Sequence, residues 1–446
     1  MQRDAIDFGK TNVTRLFVKL FFPTFLGLLF GAAFNLADGI FVGRGVGSDA
    51  LAAVNIAAPM YLIFSGIALM FASGVSVVAA VHLSHKNTKA ANINVTQAFT
   101  VALTIAVILL AIILAFPRSV NRLFGGSAVL EPYVCDYLRY SCMGLLGSVT
   151  LLIGMFVIRL DGSPKYAMLT NVIPATLNIF LDWLMVFPLR MGIAGAALAT
   201  SISETLGMAL VAYYFWRRRQ TISLYRPKFS RKAMALTLRN VGYMARVGFS
   251  TFIGETAMSC MMIVGNYMFM SYLHEDGVAA FSLACYLFPL VFMFGNAISQ
   301  SALPIISFNH GLGNAQRIRQ TFRLSLTTAV ACGLLVTLLV IVCTPAIVTL
   351  FLGHQQAPAQ IALHGLPLFS ASFLFFTLNV VLIGYCQSME RNRQATLFML
   401  LRGYILVVPC FLLLPRLMGP DGLWLAVPLS ELLTFIFMGA ALMRRK

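Results

Sequence analysis

Apolar runs of helix-spanning length follow one another along this chain, with short polar breaks between them. Crossing a bilayer as a helix takes about 20 mostly apolar residues. The runs are continuous and do not alternate residue by residue, which predicts helices and argues against the strands of a membrane barrel. Twelve spans are expected, at roughly 15–42, 50–81, 95–117, 131–158, 166–188, 192–216, 242–272, 277–308, 320–344, 358–386, 394–414 and 419–443. Breaks such as Phe187-Pro188 and Gly419-Pro420 carry residues that end helices.

The polar positions orient the spans. Of the 32 Lys and Arg, six (Arg44, Arg118, Arg122, Arg139, Arg190 and Arg416) fall on one side, Arg402 falls inside span 11, and the remaining 25 fall on the other side. The positive-inside rule then places both termini and the loop after span 6 in the cytoplasm. That loop, with RRRQTISLYRPKFSRK at its core, is the one sizeable segment outside the spans. It divides the chain into an expected first lobe (1–216), a basic linker (217–241) and a second lobe (242–446).

The two halves repeat each other at an offset of 227. Asp49-x-x-Ala52-Ala53 falls on Asp276-x-x-Ala279-Ala280, and Phe124 and Gly126 fall on Phe351 and Gly353. Gly192-x-x-Gly195 falls on Gly419-x-x-Gly422, Leu198-Ala199 on Leu425-Ala426, Ser203-Glu204 on Ser430-Glu431, and Arg217-Arg218 on Arg444-Arg445. This many matches at one offset point to duplication. Six spans per half is even, so both halves insert the same way up, and the substrate path is expected between them.

Composition agrees with the pattern. Hydrophobic residues make up 59% of the chain and charged residues 11%, with mean hydropathy +0.85, whereas soluble domains run at about 25% charged. The net charge of +17 sits at span ends, so it reads as an orientation signal and not as a nucleic-acid surface. The eight cysteines show no CxxC spacing and read as small buried hydrophobes. The polar first 14 residues and the long first apolar run predict no cleavable signal. The sequons Asn12-Val13-Thr14 and Asn94-Val95-Thr96 are too short a pattern to carry weight.

Candidate chemistry narrows to the acids inside spans: Asp38, Asp182, Glu204, Glu255 and Glu431. Intramembrane ionisable groups are costly and usually mark ion or substrate paths. Asp38 lies in the stretch GAAFNLADGIFVGRGVGSDALAA, five residues before Gly43, about 7 Å down the helix. Asn35 is three residues away and shares its direction. Asn178 and Asp182, four apart, share one face of span 5. Asp182 lies six residues before Pro188, at about 9 Å depth and so near the level of Asp38. Pro174, one turn below Asn178, frees a backbone carbonyl. Two carboxylates, two amides and a carbonyl suit a small hard cation or a proton. The alternative is a hydrogen-bond network that only joins spans 1 and 5.

Glu255 falls near the middle of span 7, beside Met258, Met261 and Met262, whose flexible polarizable side chains suit varied apolar cations. The plainer alternative for each Met is packing. Glu204 and Glu431 are repeat mates, and their symmetry favours a structural task, such as bonding with Ser203 and Ser430 at helix contacts. The six histidines show no metal spacing, and no Walker A, HExxH or GxSxG sequence occurs. Gly43-Arg44-Gly45-Val46-Gly47 reads as a tight outer turn.

Together these features resemble the multidrug and toxic compound extrusion (MATE) family. The residues that carry the resemblance are Ala37-Asp38-x-x-Phe41-Val42-Gly43 with Ala50-Leu51-Ala52-Ala53, Asn178-x-x-x-Asp182, Gly192-x-x-Gly195-Ala196-Ala197-x-Ala199-Thr200, and Glu255. The resemblance implies an all-α integral membrane fold of twelve helices, in two six-helix repeats forming a V. It implies a monomeric inner-membrane antiporter, exporting cationic or amphipathic drugs against H+ or Na+ with no cofactor. Asp38, Asn178, Asp182 and Thr200 would form the cation site of the first lobe, with Asn35 beside them. Glu255 would be the second-lobe acid seen in another branch of the family, and the residue chemistry above adds Met258 and Met262 to it as substrate-binding candidates. The rivals are a lipid-linked oligosaccharide flippase of the same superfamily, which needs several cavity cations where only Arg402 is available, and an intramembrane enzyme, which needs a nucleophile–base pair or a metal cluster.

Overall fold

The computed structural model describes residues 7–46, 48–123, 131–226, 230–352 and 356–443. Gly47, Phe124, Gly126, Gly353, Arg444 and Arg445, named above, lie outside the described residues. The helices in chain order are α1 (Val13–Gly45), α2 (Ser48–Ser84), α3 (Thr88–Ala115), α4 (Pro117–Leu123), α5 (Glu131–Tyr140), α6 (Cys142–Leu160), α7 (Pro164–Val186), α8 (Gly192–Tyr213), α9 (Arg231–Gly311), α10 (Ala315–Leu352), α11 (Gln356–Ser370), α12 (Ser372–Ser388), α13 (Asn392–Leu400), α14 (Val407–Met418) and α15 (Pro420–Met443). Single π-helical turns close α8 (Tyr214–Arg218) and join α13 to α14 (Leu401–Ile405). Among the described residues, twelve helical segments are long and apolar enough to cross a membrane.

Local chemistry sets the helix starts. Asn12 caps α1 by accepting from the N–H of Thr14 and Arg15, Asn87 caps α3 at Ala90, and Ser230 caps α9 at Ala233. Asn12 is thus spent on a cap, and Asn94 is buried with its amide donating to the Ala90 carbonyl, so both sequon asparagines have structural partners.

Four spans differ from the hydropathy reading. Span 4 is broken at Ser141 into α5 and α6. The Ser201 hydroxyl of α8 donates to the Tyr140 carbonyl at 2.5 Å and accepts from the Gly144 N–H at 3.3 Å, so a neighbouring helix satisfies the interrupted ladder. Span 10 breaks in the same way at Ala371, where Thr337 donates to the Ser370 carbonyl at 3.1 Å. Spans 7 and 8 run together as α9, which starts at Arg231 and kinks at His274, whose φ of 54° and ψ of −150° are not helical.

The chain packs as two compact units. One is Met1–Phe252 with Ser307–Gly313, the other Ile253–Ile306 with Asn314–Lys446. In the first, α1 packs on α7, α6 and α7 pack on α8, and α2 packs on α6. The start of α9 crosses α2 closely: a Cβ on Gly74 would strike the Met244 carbonyl, and one on Gly248 the Met70 carbonyl. In the second, α10, α12, α14 and α15 surround an aromatic core in which Phe269 stacks on Phe281 at 4.5 Å and meets Trp424 edge-on at 4.9 Å.

The duplication is visible in the backbone. Lys86 (φ 60°) and Gly313 (φ 69°) end the corresponding spans 2 and 8. Gly162 (φ 88°) and Glu390 (φ 56°) precede α7 and α13, and Gly192 (φ 60°) and Gly419 (φ 64°) end the turns before α8 and α15. Each pair adopts the left-handed region at the same place in its half, whichever residue occupies it.

The segment after α8 is strapped to the first unit by one carboxylate. Asp161 accepts from Tyr214 Oη and the Gln220 N–H on one oxygen, and from the N–H groups of Thr221 and Ile222 on the other, at 2.7–2.8 Å. Further along, the Ser223 N–H donates to Asn92 and the Tyr225 N–H to Thr96. Charge-assisted bonds are the strong ones. Asp161→Ala is expected to cost about 2–3 kcal/mol. The checks are a lowered unfolding midpoint and new protease cleavage within 219–226; an unchanged cleavage pattern would contradict the strap.

Candidate functional site

The sequence-predicted acids of the first unit do come together. Pro174 lacks an N–H, so the Thr170 carbonyl has no partner one turn back in α7, and the helix can open just before Asn178. Asn178 and Asp182 follow on one face, with 1% and 0% of their surface exposed. The Asn178 amide ties α7 to α8: with its nitrogen toward the carboxylate it donates to Asp182 Oδ2 at 2.7 Å and accepts from the Thr200 N–H at 3.2 Å. Its side chain also reaches Thr200 Oγ1 at 3.3 Å. Asp38 comes from α1, near enough for its charge to act on Asp182. The side chain of Asn35 lies outside the described residues.

Two aromatic hydroxyls border this cluster, and hydropathy gave no sign of them. Tyr61 of α2 and Tyr137 of α5 lie with ring centroids 6.1 Å apart, and the charge of Asp38 reaches both. A small cavity in the same unit has a polar lining of Asn171, Asn178, Thr200, Ser203 and Glu204. Several buried polar atoms here have no hydrogen-bond partner among the described residues: Asp38 Oδ1, Asp182 Oδ1, Ser203 Oγ and Glu204 Oε2. Oxygens so placed are costly in an apolar interior unless a cation or proton meets them. Two carboxylates at close range repel, and neutralising either relieves both. The donor set is therefore suited to taking up and releasing H+ or a small hard cation.

The second unit holds a different kind of cavity, small and partly open. Its walls include Met258, Met261, Phe288, Phe292, Arg402 and Glu431. Met258 is where the sequence placed a substrate residue. Glu255, half-buried on α9, and Met262, packed against the core, do not line it. Arg402 Nε donates to Glu431 Oε1 at 2.8 Å, with both side chains under 10% exposed, and its guanidinium lies 3.9 Å over the Phe376 ring. Asn379 Nδ2 donates to Glu431 Oε2 at 2.7 Å and to the Glu431 carbonyl at 2.8 Å. The expected bonds to the neighbouring serines are absent: Ser430 donates to the Val427 carbonyl, and Ser203 Oγ has no partner. A serine hydroxyl in a helix reaches its own preceding turn more easily than the side chain beside it.

The MatE family model matches residues 23–184 and again residues 251–412. A FAD transporter of Shewanella oneidensis is 25% identical over 428 residues, which is 94% of this chain and 92% of that protein. The multidrug export protein MepA of Staphylococcus aureus is 20% identical over 434 residues, covering 95% of this chain and 92% of that one. Among solved structures, an outward-facing multidrug resistance MATE family transporter of the MOP superfamily superposes with a TM-score of 0.90 at 20% identity, covering 98% of this chain and 97% of that chain. A MOP superfamily transporter from Pyrococcus furiosus gives 0.89 at 20% identity, with coverage of 98% and 97%. At these identities the structural likeness establishes the fold.

Proposed function

Because the chain belongs to the MatE family of transporters, we propose that it is a secondary exporter that exchanges organic cations or amphipathic drugs for inward-moving H+ or Na+. It is a multi-pass membrane protein and a transporter, not an enzyme. The observation that carries the antiport reading is the first-unit cluster. Asp38 and Asp182 each keep a buried oxygen without a partner, and Asn178 and Thr200 bind the cluster across α7 and α8. Cation uptake there changes the charge that α1 and α7 hold between them, and so biases one arrangement of those helices over another. In this reading both termini lie in the cytoplasm, by the asymmetry of Lys and Arg, and the membrane is the inner one.

The substrate class draws on the second-unit cavity. Met258, Met261, Phe288 and Phe292 offer polarizable and aromatic surface, and Arg402 and Glu431 cancel each other's charge. Such walls favour flat amphipathic molecules. A lipid-linked pyrophosphate would need free cations, and Arg402 is already held by Glu431.

Vesicles containing the purified protein and a fluorescent lipophilic organic cation provide the test. Imposing a pH gradient or a sodium gradient, each alone, is expected to drive dye movement with one of the two. Movement that ignores both gradients would overturn the antiport reading.

A further inference from the structure

Glu204 sits four residues after Thr200 on α8, hence on the same face and about one turn deeper. It lines the first-unit cavity together with Asn178, Thr200 and Ser203. Its Oε2 is buried without a partner, and Glu204 belongs to no ion pair among the described residues. The adjoining Ser203 is 3% exposed, lines the same cavity, and its Oγ also lacks a partner.

The duplication supplies an internal control. Glu431 occupies the same place in the second half and is neutralised by the fixed guanidinium of Arg402. Counting back from Pro188 and Pro415, which correspond at the offset of 227, Arg402 falls on Ala175. Counting forward from the helix starts at Pro164 and Asn392, it falls on Pro174. Both Pro174 and Ala175 line the cavity that Glu204 lines. One half thus has a carboxylate with a built-in cation. The other has the same carboxylate, an apolar residue where the cation would sit, and a small cavity lined by both.

We propose that Glu204 is a second cation-binding residue of the first unit, taking H+ or Na+ at its own station beyond the Asp38–Asp182 cluster. The proposal rests on the antiport reading above. The group that the charge of Glu204 reaches is Tyr61 on α2, which also feels Asp38 on α1 and so links the two stations. A cation leaving Asp38 and Asp182 would pass Tyr61 to reach Glu204, and the first unit would hold two cations in one cycle.

Infrared difference spectroscopy of the full-length protein in lipid nanodiscs tests this without any organic substrate. One arm changes pH in the absence of sodium; the other adds NaCl at fixed pH. The wild type is expected to show a glutamate carboxyl signal in one arm, shifted by ¹³C-glutamate labelling, that Glu204→Gln removes and Glu204→Asp moves to the aspartate region. The aspartate signals should persist in Glu204→Gln. A response only to pH assigns the station to H+, and a response to sodium assigns it to Na+. Identical glutamate signals in wild type and Glu204→Gln, in both arms, would overturn the proposal, as would a Glu204→Asp spectrum without a new aspartate signal. The double variant Asp38→Asn, Asp182→Asn separates the two readings: if it loses no aspartate signal, the coupling cluster fails while the Glu204 signal is judged by itself.

Discussion

Export driven by a cation gradient is expected to fall to background in Asp38→Asn, with insertion and folding intact. Asn keeps the size of the side chain and one carbonyl oxygen, so packing around α1 is preserved. It removes the charge and the exchangeable proton. Asp38 Oδ1 is a buried oxygen with no partner among the described residues, so an amide there breaks no hydrogen bond to that oxygen. A structural carboxylate would behave otherwise, because its loss would strand donors and lower stability. The expected pattern is therefore an unchanged unfolding midpoint with transport reduced more than about tenfold, the change given by ~1.4 kcal/mol of lost cation binding. Asp182→Asn should act in the same direction but also weaken the fold, since Asp182 Oδ2 accepts from Asn178 at 2.7 Å. Normal export by Asp38→Asn in the vesicle assay would remove Asp38 from the coupling site.

The spans were legible in the sequence because lipid imposes its pattern residue by residue. A helix in the membrane must be apolar over its full length, whatever packs on it. The repeat was legible for a related reason: turns such as those at Gly192 and Gly419 need the same backbone in both halves. The Asn178–Asp182 pair could be read from its spacing alone, since four residues set a shared face. Placing Asp38 beside it took only a count of depth from two span ends. What hydropathy cannot hold is which side chain meets which across two helices. Arg402 and Glu431 lie 29 residues apart, so no local spacing announced their bond, and Glu431 was assigned to its neighbour Ser430. The breaks at Ser141 and Ala371 were hidden for the same reason. They are tolerated because Ser201 and Thr337, from other helices, meet the freed carbonyls. Met258 and Met262, one turn apart, both pack against the second-unit core, and only Met258 also lines the cavity.

Breaking the Arg402–Glu431 pair is expected to give the largest loss of stability in the second unit. The pair is buried, bonded at 2.8 Å, and completed by Asn379 on one side and the Phe376 ring on the other. Arg402→Met leaves Glu431 as a buried charge with only an amide to meet it, and such a loss typically costs about 3–5 kcal/mol. Glu431→Gln leaves the guanidinium with a neutral acceptor and a ring face, and should cost somewhat less, since cation–π contact still holds it. Removing both partners together should recover most of the loss, because the penalty comes from the uncompensated charge and not from the missing attraction. Thermal unfolding of the single and double variants in detergent gives the cycle directly. Additive single losses in the double variant would mean that the two residues act independently. The contrast drawn between Glu431 and Glu204 would then lose its basis, since a carboxylate that does not depend on its fixed arginine cannot mark what the other half lacks.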